Sequence, residues 1–264
     1  MMKKRKSILT VMVLVLLMLV FTSTCFAETD VKETAKTGII GAMDEEVNSL
    51  KEALDEKKIS TFAGMEFCEG RLDGATVVVV KSSVGKVNAA ACTQILIDRF
   101  GVDRIINTGV AGSLDDAIDI GDIVISTEAV QHDMDVTPLG YARGEIPDCE
   151  SVFPADEEMR TSAAEAVRAA APEVHAFEGR VCSGDQFIAT PEQRESILSS
   201  VGGLCCEMEG AAIAQVCSLN GTPFVIIRAI SDKPDGSAAA DYTEFARDAA
   251  ENCAAITLYM IAHK

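Results

Sequence analysis

From residue 37 onward, short runs rich in Val, Ile and Thr alternate with Ala-rich stretches of helical length, and this rhythm constrains the chain more than any other feature. Such alternation specifies an α/β fold, a sheet carrying helices on both faces. Strands are predicted at 38–43, 61–71, 76–82, 104–108, 122–129, 179–183, 204–208 and 224–230, and helices at 45–56, 86–100, 156–171, 191–199, 210–219 and 242–263. Several of the strands are apolar on both faces, which places them centrally. The last helix is expected to start after Asp241 as its N-cap, with Ala246, Ala249, Ala250, Cys253, Ile256 and Leu258 as its apolar stripe. No Gly/Pro/Ser-rich linker or internal repeat divides residues 37–264, so one domain is expected there.

Ahead of that domain, residues 8–21 form an uncharged apolar run between KKRK and TSTCFA, the three-part pattern of a secretory signal peptide ending at Ala27. An uncleaved membrane anchor is the competing reading, and lipid attachment at Cys25 a weaker one. Residues 28–36 read as a polar tether. The expectation is an exported, extracytoplasmic protein that touches a membrane only through this segment, if it is retained.

Formal net charge is −18, and without the first 27 residues 19 basic side chains face 41 acidic ones, a net of −22. A body so acidic is repelled by phosphate backbones and anionic headgroups, which argues against nucleic-acid or general membrane-surface binding and leaves small ligands open. Eight of the nine cysteines lie beyond Ala27. Their apolar neighbours suit free, buried thiols better than the disulfides that export would allow.

Ligands of open α/β sheets collect at the carboxyl ends of strands, and five such places carry polar side chains. In GAMDEEV, the carboxylates Asp44, Glu45 and Glu46 suit either a site or the positive end of a helix. NTGVAGS, residues 107–113, reads as a glycine-rich turn that matches neither phosphate-cradle motif, with Gly109 and Gly112 permitting close approach of a ligand. SGDQFI puts Phe187 and Ile188 beyond a strand, where an aromatic can stack on a flat ring or simply fill core. In CCEMEG, Glu207 and Glu209 flank Met208; one of them accepts hydrogen bonds from a partner such as a vicinal diol, or both are helix-start charges. RAISD holds Arg228 and Asp232, which form a structural pair or supply a general acid of raised pKa. HDMD (His132, Asp133, Asp135) looks like a metal cluster but lacks a His or Cys complement, since the other histidines are His175 and His263. A structural role is expected for it, with no metal and no cofactor.

Taken in order, GIIGAMDEEV, SSVGKVNAA, NTGVAGSL, GDIVIS, HDMDVT, SGDQFI, CCEMEGAAIA and RAISD closely resemble the 5′-methylthioadenosine/S-adenosylhomocysteine nucleosidases of the purine nucleoside and uridine phosphorylase superfamily. The resemblance runs from about Gly38 to the C-terminus. It implies a three-layer αβα fold with a mixed central sheet and helices on both faces, a homodimer, and hydrolysis of an N-glycosidic bond to adenine and a 5′-substituted ribose, with 5′-deoxyadenosine as a further candidate substrate. It makes Glu46 the base that activates water and Asp232 the acid toward adenine N7. Glu209 would bind the ribose hydroxyls beside Met208, with Glu207 in the same substrate-binding set. Phe187 would stack on adenine and Ile188 contact its edge, while Ser231 and Arg228 support acid and water. Met43 would line the pocket, Leu139 and Pro147 would close the 5′-thio end in the neighbouring subunit, and Phe245 would lie in the covering helix. Val110 stands where many relatives carry a small hydroxyl residue, and Leu139 where an aromatic is frequent. The leader is a third departure from a family that is ordinarily cytoplasmic.

The competing readings are a phosphate-dependent phosphorylase of the same superfamily and an exported nucleoside-binding protein without turnover. The first needs basic residues to hold phosphate, and GAMDEEV is acidic where they would stand. The second has no use for a water-activating Glu46.

Overall fold

The computed structural model describes residues 35–263, so the apolar leader and the tether up to residue 34 lie outside the described residues. The mixed sheet runs in the order β2, β3, β4, β1, β5, β9, β8, β6, β10, with β7 against β6. Its strands are β1 (Thr37–Gly41), β2 (Asp55–Phe62), β3 (Met65–Leu72), β4 (Ala75–Lys81), β5 (Arg104–Ser113), β6 (Ile123–Gln131), β7 (Val152–Pro154), β8 (Ala176–Ser183), β9 (Cys205–Glu207) and β10 (Phe224–Asp232). The helices are α1 (Asp44–Glu52), α2 (Lys86–Phe100), α3 (Glu157–Ala170), α4 (Pro191–Ser200), α5 (Gly210–Asn220) and α6 (Ala238–Ala262).

Strand alternation builds two cores. Ile39, Val77, Val79, Ile106 and Ile227 face one side, packed with Val47 of α1, Ala163 and Ala166 of α3, and Ala249, Cys253 and Met260 of α6. Their chain neighbours Ile40, Val78, Val80, Ile105 and Ile226 face the other, packed with Ala89, Cys92 and Leu96 of α2 and Ala211, Ile213 and Cys217 of α5. Successive residues of a strand point to opposite faces, which is why these strands read as unbroken apolar runs. Each fully buried aliphatic side chain contributes roughly 1.5–3 kcal/mol. The result is the αβα sandwich expected from the sequence.

β5 pairs in parallel with β1 over residues 104–107 and with β10 over residues 105–112, then with β9 antiparallel at Gly112 and Ser113. Because β10 also pairs with β6, strands β5, β9, β8, β6 and β10 close into a ring. Closure brings the ends of β8 and β9 up against those of β5 and β10.

Several expected boundaries need correction. NTGVAGS is not a turn: residues 107–113 continue β5, paired with β10 and then β9. The first helix stops at Glu52, and the expected strand 61–71 contains a hairpin turn at Ala63 (φ 49°) and Gly64 (φ 77°) between β2 and β3. Two positive φ values in a two-residue loop match the twist of paired strands. β2 escaped notice because it is an exposed edge strand with Lys57 and Lys58 on it, charges that discourage further pairing. The last helix begins one turn early, at Ala238, so Asp241 lies within its first turn rather than capping it. The Ser237 hydroxyl, ahead of the helix, lies within hydrogen-bond distance of Asp235 Oδ1 (2.6 Å) and Asp241 Oδ2 (2.7 Å) and shares its one proton between them. All eight cysteines beyond Ala27 are free thiols, seven of them buried.

Candidate active site

A cavity of about 470 Å³ opens where β1, β5, β8, β9 and β10 end. Met43 and Glu46 enter it from the β1–α1 junction, Val110 from β5, Phe187 and Ile188 from beyond β8, Glu207, Met208 and Glu209 from β9–α5, and Arg228, Ser231 and Asp232 from β10. The structure therefore gathers these eleven residues at one place.

Glu46, in the first turn of α1, is 1% exposed. Its carboxylate accepts hydrogen bonds from the backbone N–H of Ala42 (2.6 Å), Met43 (3.0 Å) and Val110 (3.1 Å). The two readings of GAMDEEV thus coincide in one side chain: Glu46 satisfies the helix start while facing the cavity. Asp44 and Glu45 lie in the same first turn, where their charge suits the helix start, and Asp44 also pairs with Lys81 at 2.7 Å. Burial pushes the Glu46 carboxyl above the ordinary range, outweighing the pull of Arg228 and of the three N–H groups.

The glycines of NTGVAGS make room for side chains rather than for a ligand's backbone approach. A Cβ at Gly109 would run into the Glu46 carboxylate and the Arg228 guanidinium, and one at Gly112 would lie 2.9 Å from Asp232 Oδ2.

Arg228 is buried and ties the floor together. It donates to Asn107 Oδ1 (2.6 Å), to the Val110 carbonyl (3.2 Å) and to Glu207, and lies 3.5 Å from Glu209. Its ionic partners are Glu207 and, at the longer distance, Glu209, so the Arg228–Asp232 pair weighed from the sequence does not form. Glu207 also accepts from Ser183 and from the N–H groups of Glu209 (3.0 Å) and Gly210 (2.8 Å). CCEMEG therefore divides its labour: Glu207 holds the start of α5, and Glu209 turns to the cavity. Gly85 N–H donates to Glu209 at 2.8 Å, while burial and the adjacent Glu207 charge lift the Glu209 pKa to about 7.

Asp232 is 2% exposed and forms no ion pair among the described residues. The Ser231 hydroxyl donates to its Oδ1 at 2.7 Å. Burial raises its pKa to about 6, with Asp241 adding to the rise and Ser231 opposing it. A carboxyl so placed holds a proton close to neutrality and can deliver it.

Phe187, 44% exposed, packs edge to face with Tyr242 at 5.7 Å between ring centroids, and the Tyr242 hydroxyl donates to Met43 Sδ at 2.9 Å. Tyr242 carries no sequence signal for the cavity; Phe245, which the resemblance places in the covering helix, does lie in α6. There it faces a second cavity with Asp119, Lys233 and Asn252. Three residues along a helix carry a side chain about 4.5 Å down the axis, enough to leave the first cavity. Val84 also lines the main cavity and sits in the SSVGK segment. Leu139, 73% exposed, and Pro147 line neither of these two cavities.

Both carboxylates of HDMD are engaged with the protein itself, while the buried His132 Nε2 has no hydrogen-bond partner among the described residues. Asp133 meets Lys86 at 2.6 Å, and Asp135 accepts from Thr137 (2.7 Å) and Arg143 (3.1 Å).

Sandwich, closed ring and carboxylate-rich cavity define a class: the chain belongs to the phosphorylase superfamily, whose family model matches residues 36–262. Among curated relatives, the 5′-methylthioadenosine/S-adenosylhomocysteine nucleosidases of Shewanella halifaxensis and Geobacillus thermodenitrificans are 42% and 44% identical over 227 residues, covering 86% of this chain and 98% and 96% of theirs. The Neisseria meningitidis nucleosidase, solved with methylthio-immucillin-A, superposes with a TM-score of 0.84 at 38% identity, covering 87% of this chain and 99% of its own. That of Colwellia psychrerythraea, solved with adenine, gives 0.83 at 40%, covering 86% and 95%. Within the superfamily, this chain belongs to the 5′-methylthioadenosine/S-adenosylhomocysteine nucleosidases.

Proposed function

We propose that this protein hydrolyses the N-glycosidic bond of 5′-methylthioadenosine and S-adenosylhomocysteine, releasing adenine and the 5′-substituted ribose. The observation that carries the reading is that Glu46 and Asp232, two buried carboxyls with raised pKa values, open on one cavity together with Glu209 and Phe187. Breaking a ribosyl–base bond builds positive charge on the sugar. A carboxylate readying water on one side and a carboxylic acid protonating the leaving group on the other divide that work. Glu46 takes the first role and Asp232 the second, donating toward adenine N7 while its other oxygen accepts from the 6-amino group. Phe187 stacks on the purine, Glu209 receives the ribose hydroxyls, and Arg228 fixes the neighbouring carboxylates. Each proton transfer is worth about 10²–10⁴-fold in rate.

A phosphate co-substrate would meet Glu46, Glu207, Glu209 and Asp232 with Arg228 already engaged, which disfavours the phosphorylase. The mature protein incubated with methylthioadenosine should release adenine at one rate with and without phosphate. Strict phosphate dependence would establish the phosphorylase, and binding without release the receptor.

The working unit is a homodimer. Leu139 and Pro147 reach a 5′ substituent only from a second copy, and Leu139 and Val87 stand 73% and 80% exposed in one protomer. The leader directs export, with membrane contact only where it is retained. Light scattering and the N-terminal sequence of the protein from its cell fraction test these two points.

A further inference from the structure

Outside the cavity, three loops are tied into a closed circuit. The Lys86 ammonium donates to Asp133 Oδ1 (2.6 Å), the Lys86 backbone N–H to Asp185 Oδ1 (2.8 Å), and the Asp185 backbone N–H returns to Asp133 Oδ2 (3.0 Å). Gln131 accepts from the same ammonium at 3.0 Å. The circuit is tightly built: a Cβ on Gly184 would strike the His132 ring and come within 3.1 Å of the Asp133 carboxyl. None of Lys86, Asp133 and Asp185 lines the cavity. Each end of the circuit nonetheless continues into it. Gly85, the residue before Lys86, donates its N–H to Glu209, and Asp185 is followed by Gln186, Phe187 and Ile188 along the cavity wall. Glu46 and Asp232 have no bond to the circuit; their partners are Ala42, Met43, Val110 and Ser231.

We propose that Lys86 and Asp133 are positioning residues for the nucleosidase reaction, holding the ribose-binding Glu209 and the purine-stacking Phe187 in register with each other. The proposal rests on the function proposed above. It accounts for the Asp133 of HDMD, which the chemistry otherwise leaves idle: its two carboxylate oxygens take one bond from the α2 start and one from the loop beyond β8, alongside the direct bond from the Lys86 N–H to Asp185. A circuit that sets binding groups but not the acid and base acts on substrate capture more than on turnover.

Asp133→Asn keeps the shape but offers one acceptor oxygen where two are used, leaving its amide facing either the Lys86 ammonium or the Asp185 N–H. Lys86→Met keeps the stem and removes the charge. In both variants KM for methylthioadenosine and Kd for adenine should rise on the order of tenfold, the scale of a misplaced binding group, with kcat within about threefold of wild type. The double variant should be no worse than either single one, because both break the same circuit. Wild-type KM and adenine Kd in both variants would overturn the proposal, as would a loss carried by kcat alone. Should Asp133→Asn fail to fold, Lys86→Met tests the circuit from its other end. If the wild type binds adenine without releasing it from methylthioadenosine, the functional reading fails by itself, and the adenine Kd ratio still decides the circuit.

Discussion

Glu46 and Asp232 share one cavity and nearly equal burial, yet they are held in opposite ways. Three backbone N–H groups and the nearby Arg228 guanidinium fix Glu46, so its position is dictated by the α1 start and by β5. Asp232 has a single hydroxyl partner, Ser231, and sits beside a glycine that leaves it space. The contrast separates the demands on the two groups. A base that aims a water molecule needs fixed geometry, whereas an acid that must hold and release a proton needs a dry site with few competing donors.

The largest test of that contrast removes each carboxyl in turn. Asp232→Asn and Glu46→Gln should each cost about 10²–10⁴-fold in adenine release, but with different consequences for stability. Asp232 binds its proton more tightly folded than unfolded, so its ionisation costs stability as pH rises from 3.8 to about 6 and the cost then stays constant. Asp232→Asn should therefore melt at or above wild type at neutral pH and lose that slope. Glu46→Gln keeps one acceptor oxygen and turns its amide NH2 toward either the Val110 N–H or the Ala42 and Met43 N–H pair, and an unsatisfied buried donor costs about 1–3 kcal/mol, so it should melt below Asp232→Asn. Equal melting temperatures would erase the distinction.

A smaller effect sharpens it. Removing the Ser231 hydroxyl deletes the one interaction that pulls the Asp232 pKa down. Ser231→Ala should thus displace the alkaline limb of the kcat/KM profile upward by about one pH unit, the size of one lost hydrogen bond to a charged group. An unmoved limb would mean that Asp232 is not the group titrating. The smallest effect belongs to the cavity's rim: Tyr242→Phe keeps the ring against Phe187 and loses only the bond to Met43, so kcat/KM should stay within about threefold.

Much of this was legible in the sequence because burial on both faces leaves a plain trace. β1, β4 and β10 are largely apolar runs, and the carboxylates where β1 and β10 end, Glu46 and Asp232, are polar residues with no surface to occupy. What stayed hidden has equally physical reasons. β2 is a solvated edge strand whose lysines carry no periodicity, and β7 has three residues. The glycines of β5 read as a turn because their purpose, space for Glu46 and Asp232, is set by chain segments far away in sequence. Tyr242 stands in no motif, so nothing in the sequence marks it for the cavity; Phe245 lies in α6 as the resemblance implies, but three residues further along and against the second cavity. Spacing alone leaves Glu207 and Glu209 equivalent; the bonds of Glu207 to Arg228, Ser183 and the α5 start are what separate them, as the resemblance implies for Glu209.

The division of labour between the two carboxyls is tested most directly by the pH dependence of kcat/KM for methylthioadenosine, measured for the wild type and for Asp232→Asn side by side. With Asp232 as the acid, the wild-type profile turns down above about pH 6, and the residual activity of the variant shows no such limb. A variant that retains the wild-type rate, or that keeps the same limb, would contradict the assignment.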